Sequence, residues 1–82
     1  MIHTIRAEMV ANVLEVSVAD GDRISVGDTL LLLESMKMEI PVLAEVAGEV
    51  VEVAVSVGDV IQEGDPLVLI KIESARNGKS SR

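Results

Sequence analysis

Displaced against itself by 37 positions, this chain of 82 residues repeats. At that offset Ala7-Glu8 falls on Ala44-Glu45, Val13 on Val50, Glu15-Val16 on Glu52-Val53 and Val18 on Val55. Farther along, Gly21-Asp22 meets Gly58-Asp59, Ile24 meets Ile61, Gly27-Asp28 meets Gly64-Asp65, Leu30 meets Leu67 and Leu32 meets Leu69. Two Gly-Asp pairs recurring at a single offset are hard to assign to chance. Two copies fall short of the three repeats a solenoid needs, and the length allows one small domain. The repeat therefore predicts a single domain with internal two-fold pseudo-symmetry.

Each copy has the same local grammar. Val13–Val18 and Val50–Val55 alternate around their polar positions and read as half-buried strands. The Gly-Asp pairs that follow read as turns, because glycine accepts positive φ and aspartate bonds nearby backbone amides. Ile24 and Ile61 fall in short extended pieces between turns, and Thr29–Glu34 and Pro66–Ile72 close the two halves as strands. Pro66 at a strand start removes no central ladder donor. No segment carries a helical period of useful length. The apolar residues agree. Phe, Tyr and Trp are absent, and 21 of the 29 Val, Leu and Ile residues are β-branched, which suits pleated faces packed together. The prediction is an all-β sandwich of two small antiparallel sheets, with about four short strands from each half. A domain this small buries only about 60% of its unfolded surface, and symmetry helps so short a chain close a core.

Charge and composition remove several function classes. Seven basic against 14 acidic residues leave a net charge of −7, which argues against nucleic-acid binding. Ser74–Arg82 holds three of the seven cations, so residues 1–73 stand at 4 − 14 = −10. That final stretch is polar, and the expectation is one folded domain over 1–73 followed by a disordered tail over 74–82. Cysteine is absent, so disulfides and thiolate metal ligation are unavailable. His3, the single histidine, cannot build a metal site alone and fits a terminal strand. Asp20, Asp22 and Asp28 hint at a calcium loop, but the alternation of acids ends at Ile24 and no Glu stands at the twelfth position. Turn chemistry is the expectation there. No apolar run is longer than Leu30–Leu33, far below the ~20 residues of a membrane span. Met1–Arg6 lacks the apolar core and cleavage site of a secretory signal. The expectation is a soluble cytoplasmic protein with no nucleic-acid, membrane or metal partner.

One segment has no counterpart in the repeat. Between the halves runs Glu34-Ser35-Met36-Lys37-Met38-Glu39-Ile40-Pro41, and the second copy lacks any Met-Lys-Met. Strand counting sets this segment between the last strand of the first half and the first strand of the second. Lys37 then falls at a hairpin tip, far from both termini. It is the only basic residue between Arg23 and Lys71. A lysine in a turn is most often simply solvated, and methionines are most often core fillers. On strand alternation, however, Met36 and Met38 share one face and flank Lys37 on the other, an apolar collar around a presented amine. Burying one such methionine is worth roughly 1.5–3 kcal/mol. An exposed tip forgoes that gain, although scattered exposed apolar residues are common.

A nucleophilic Schiff-base lysine needs burial or a neighbouring cation to lower its pKa. The neighbours of Lys37 are instead Glu34 and Glu39, which favour an ammonium. An ordinary lysine amine is neutral only about once in a few thousand at pH 7. The segment fits a lysine that another enzyme modifies better than one that catalyses, and no catalytic residue is assigned.

Glu34-Ser35-Met36-Lys37-Met38-Glu39, set within the Gly-Asp turns and the two-half symmetry, resembles the attachment motif of the biotinyl/lipoyl attachment-domain family, in its biotin-carrying branch. The resemblance covers residues 5–72 and is closest to free-standing, single-domain attachment proteins. It implies a flattened β-barrel sandwich (a barrel-sandwich hybrid) of two four-stranded antiparallel sheets, with Lys37 on an exposed hairpin. It implies biotin joined to the Lys37 ε-amine as an amide by a biotin protein ligase. It further implies a carrier with no chemistry of its own, taking CO2 from a biotin carboxylase to the carboxyltransferase of an acyl-CoA carboxylase-type complex. Met36 and Met38 would then serve ligase recognition and guard against lipoylation, since lipoyl-type members usually carry Asp and Ala beside their lysine. Ser35 would help present the hairpin, and Glu34 and Glu39 would present it to a basic ligase surface. Gly48 and the Gly-Asp turns would hold the tip in register.

The chain also departs from the family pattern. Where many members have Ala-Pro-Met-Pro-Gly, it has Ala7-Glu8-Met9-Val10-Ala11-Asn12. That change is expected to loosen the first strand without touching the attachment site. The second half keeps a glycine, in Ala44-Glu45-Val46-Ala47-Gly48. No long insertion follows Val18, where some carboxyl carrier domains have a thumb over the biotin. Two other readings stay open on the residues alone. One is lipoyl carriage in an acyl-transfer complex, against which the methionines count; the other is an unmodified adaptor that works by protein contact only.

Overall fold

A computed structural model describes residues 1–73, so the expected tail at 74–82 lies outside the described residues. Among the described residues there are eight strands and no helix: β1 (Ile2–Arg6), β2 (Ala11–Val16), β3 (Arg23–Ile24), β4 (Thr29–Ser35), β5 (Met38–Leu43), β6 (Gly48–Val53), β7 (Val60–Ile61) and β8 (Pro66–Ile72). They assemble into two four-stranded sheets ordered β1-β8-β6-β3 and β5-β4-β2-β7, antiparallel throughout. The all-β sandwich expected from the repeat is what forms. The offset of 37 carries β2, β3 and β4 onto β6, β7 and β8 residue for residue, and β1 onto β5. It also converts one sheet order into the other, so the pseudo-symmetry is structural. The two halves interlock. Each supplies the central pair of one sheet, β2–β4 or β6–β8, and the edge strands of the other. Neither half completes a sheet alone.

The Gly-Asp signature makes type II turns. In Ala19–Asp22 the Asp22 N–H donates to the Ala19 carbonyl (3.0 Å) while Gly21 sits at φ +91°, the left-handed third residue such a turn requires. The Asp22 carboxylate then accepts from the Ala19 N–H (2.9 Å) and closes the turn from the other side. Ser25–Asp28, Ser56–Asp59 and Gln62–Asp65 repeat both bonds.

Bulges decide which residues reach the core. Leu30 and Leu67 are the extra residues in the β4–β5 and β1–β8 pairings, and Leu14 and Val51 are extra in β2–β4 and β6–β8. An extra residue resets strand alternation. Leu30 and Leu31 are consequently both buried, as are Leu67 and Val68, and they join Val13, Leu33, Val50 and Ile70 between the sheets. The long strands also begin and end two residues earlier than alternation suggests, at Ala11–Val16 and Gly48–Val53. They start early because Ala11 and Asn12 pair with Ile61 and Val60 of β7. They end early because the next turn crosses to the opposite sheet, where the Gly21 N–H donates to the Val50 carbonyl (2.7 Å) and the Val50 N–H to the Asp22 carbonyl (2.8 Å). Val18 and Val55 still pack against the core.

Candidate functional site

β4 and β5 form a hairpin in which Ser35 pairs with Met38, leaving Met36 and Lys37 as a two-residue loop. Both have positive φ, +53° and +66°, the signature of a type I′ turn, whose twist matches the flanking strands. Such turns favour Asn and Gly, and a non-glycine residue held in the left-handed region costs of order 1–3 kcal/mol. Here two consecutive residues hold it and neither is Asn or Gly. The hairpin beneath, paired from Ser35–Met38 down to Thr29–Leu43, imposes the conformation.

Lys37 is therefore presented at a hairpin tip as expected, but by different geometry. Met36 and Lys37 are turn residues rather than strand residues, so the strand alternation that put both methionines on one face does not apply. Met36 projects from the turn, 92% exposed, whereas Met38 opens β5 on the face shared with Ile40 and Val42, at the outer margin of the core and 65% exposed. Lys37 is exposed, and among the described residues its amine has no ion-pair partner. Ser35 is half-buried and closes the hairpin. Glu34 and Glu39 lie directly opposite each other, a like-charge pairing that disfavours the strand pair. It concentrates negative charge just beneath the turn.

Residues that the sequence reading passes over complete the surroundings. Met9, Val10 and Val60 line, with Met36 and Lys37, a shallow groove of about 680 Å³. The divergent segment Ala7–Asn12 thus does reach the site, contrary to expectation, because Asn12 pairs with Glu34 on one side and Val60 on the other. Only the pairing of β2 with β7 brings Val60 here, and no local signal marks it. Gly48 is displaced in the opposite sense. Expected to hold the tip in register, it lies at the far end, paired with Ile72. β1 separates the two ends, leading from Met1, whose carbonyl accepts from the Ile72 N–H (3.0 Å), toward Met9.

His3 lies in β1 with Nε2 3.2 Å from Glu45 Oε1. Among the described residues no group of three His, Cys, Asp or Glu is placed to hold a metal ion, and no helix is long and apolar enough to cross a membrane. The arrangement offers one exposed primary amine on a strained turn at the end of a sandwich. An enzyme that reaches over that turn can acylate it.

Residues 3–70 match the biotin/lipoyl family model, described as "Biotin-requiring enzyme". The chain belongs to this family, and its class is that of a biotin carrier domain. A biotinylated protein TB7.3 homolog of Mycolicibacterium smegmatis is 70% identical over 44 residues, which cover 54% of this chain and 62% of that protein. A biotin/lipoyl attachment protein of Bacillus subtilis is 46% identical over 41 residues, covering 50% of this chain and 56% of that one. The chain thus spans 62% and 56% of the lengths of these two curated relatives. Among solved structures, a single-chain, multi-domain long-chain acyl-CoA carboxylase superposes with a TM-score of 0.82 at 33% identity, over 89% of this chain and 7% of that one. The site's own chemistry fits biotin, the cofactor of the family, since an amide linkage needs an accessible primary amine and the turn exposes one.

Proposed function

We propose that a biotin protein ligase joins biotin through an amide to Nζ of Lys37. On this reading the domain is itself non-catalytic and carries CO2 between the biotin carboxylase and the carboxyltransferase of a cytoplasmic acyl-CoA carboxylase-type complex. The observation that carries the reading is the Met36-Lys37 turn, held at φ +53° and +66° where Asn or Gly folds more easily. Strain of this kind persists where the residues themselves are needed. Family membership supports biotin as the attached group, and the likeness to a long-chain acyl-CoA carboxylase supports carboxyl transfer to an acyl-CoA.

Bound biotin supplies a ureido nitrogen that takes up and releases a carboxyl group. The chain's part is mechanical. Amide formation removes the Lys37 charge, the side chain extends the reach, and the β4–β5 hairpin keeps the turn clear of the sandwich. Tethering then raises the effective concentration of the carried group at each partner's site, to the order of mM for short flexible links. Lys71 is also exposed, but it lies mid-strand in β8, paired with Ile2 and Glu49 rather than on a protruding turn, so modification at Lys37 alone is expected.

The test is intact mass with peptide mapping after co-expression with a biotin protein ligase and biotin, for wild type and Lys37→Arg. One biotin on Lys37 and none on the variant is the expected result. Melting temperatures should agree within about 4 °C, because an exposed turn residue contributes little packing. Biotin on Lys71, or lipoate in place of biotin, refutes the assignment.

A further inference from the structure

We infer that Met36, Val10 and Val60 form a docking surface for the enzyme that charges Lys37, a partner with an apolar contact surface rimmed by basic side chains. The inference rests on the reading of Lys37 given above.

The pseudo-symmetry supplies an internal control. At the end of the sandwich that holds Ile72, Arg23 and Glu73 form an exposed ion pair with Nη1 and Oε2 2.8 Å apart. The offset of 37 carries Arg23 onto Val60 and Met36 onto Glu73. By sequence offset these positions thus hold an ion pair at one end and two exposed apolar side chains at the other, Val60 at 67% and Met36 at 92% exposure. Arg23 and Val60 also correspond in strand pairing, whereas Met36 lies in the left-handed turn. Val10, 60% exposed, likewise stands where the other end has the smaller, half-buried Ala47. The fold accepts charge at the strand position of Val60 and a smaller residue at the place of Val10, so packing does not demand valine at either. All three residues adjoin Lys37 in one groove although they come from three separate segments. Exposed apolar groups gathered in this way mark interaction sites.

The occupant follows from the chemistry at Lys37 and from charge. An enzyme that forms a bond to Nζ must bring its active site over the turn, so its surface covers whatever adjoins the turn. The three side chains are 60–92% exposed around a shallow groove beside the turn, so a partner's surface can cover them together. Glu34 borders the groove and faces Glu39 across the hairpin, which gives the apolar-centre, polar-rim layout of an interface. With residues 1–73 at 4 − 14 = −10, the complementary rim is basic.

The double variant Val10→Ala/Val60→Arg gives the tip end the residues that the other end already carries, and it is expected to fold and melt close to wild type. Biotinylation kinetics are then measured with biotin protein ligase and the full chain, followed by mass. Docking predicts a KM for the carrier raised at least tenfold, equivalent to about 1.4 kcal/mol, with kcat within twofold. Val60→Thr, which changes polarity without charge, is expected to raise KM by a smaller factor, about threefold (equivalent to ~0.7 kcal/mol). A KM within twofold of wild type for both variants overturns the proposal. So does a result in which KM is unchanged while the Val10 and Val60 methyl resonances shift on biotinylation of the wild type, which assigns the groove to the tethered group itself. Wild-type protein that takes no biotin overturns the Lys37 reading instead, and the same mass spectra reveal it directly.

Discussion

Replacing Gly48 by alanine tests the close packing of β6 on β8 with a single methyl group. A Cβ at this position overlaps the Lys71 carbonyl oxygen, and it stands 3.0 Å from the carbonyl carbon and 3.1 Å from the Ile70 Cγ2. The first two are backbone atoms of β8, which is held between β1 and β6, so they cannot swing aside as a side chain does. β6 must lift away at the Gly48–Ile72 rung and strain the neighbouring Glu49–Lys71 rung. Overpacking of this kind and one weakened cross-strand hydrogen bond together cost about 2–4 kcal/mol. A domain of this size has only about 4–11 kcal/mol in total. Since each kcal/mol moves the melting temperature of such a domain by ~4–8 °C, scanning calorimetry should show a fall of roughly 10–25 °C. The equivalent position in the first half carries Ala11, buried, and there β2 pairs with β4 only from Asn12–Glu34 onward. The reciprocal Ala11→Gly change relieves no clash and should lose about 1–2 kcal/mol, from added chain entropy and one buried methyl group. A Gly48→Ala protein that melts within about 4 °C of wild type refutes the steric argument.

Two further substitutions test the turn and the core. Met36→Asn places a residue that tolerates left-handed backbone at the first turn position, so the melting temperature should rise by about 4–8 °C, and a fall refutes the type I′ assignment. Leu31→Ala removes a side chain at 0% exposure and should cost about 2–5 kcal/mol in urea denaturation, a large share of the total; a loss below about 1 kcal/mol refutes its place in the core.

Six of the eight strands can be delimited in the sequence to within two residues, whereas β1 and β5 cannot. Both are edge strands; the partner of β1, β8, is assigned only by the tertiary pairing, whereas β5 follows β4 through the hairpin that the sequence does indicate. The four turns are legible because their chemistry is local. A glycine at positive φ and an aspartate reaching back three residues lie within one short segment. Lys37 is legible for a different reason, that Met-Lys-Met interrupts a repeat that otherwise continues. The turn type is hidden, since Met36-Lys37 carries no left-handed preference and the hairpin imposes one. Met9, Val10 and Val60 are hidden as a group because they meet only when β2 lies between β4 and β7.

The sequence by itself determines the two-fold sandwich, its turns and the residue presented between its halves. Repeat and turn chemistry act over a few neighbouring positions and survive without knowledge of the rest. Tertiary structure alone decides how the halves interlock, where single-residue bulges bury Leu30 with Leu31, which way Met36 projects, and what surface surrounds Lys37. Those outcomes depend on strand register between distant segments, where a shift of one residue exchanges the two faces of a strand.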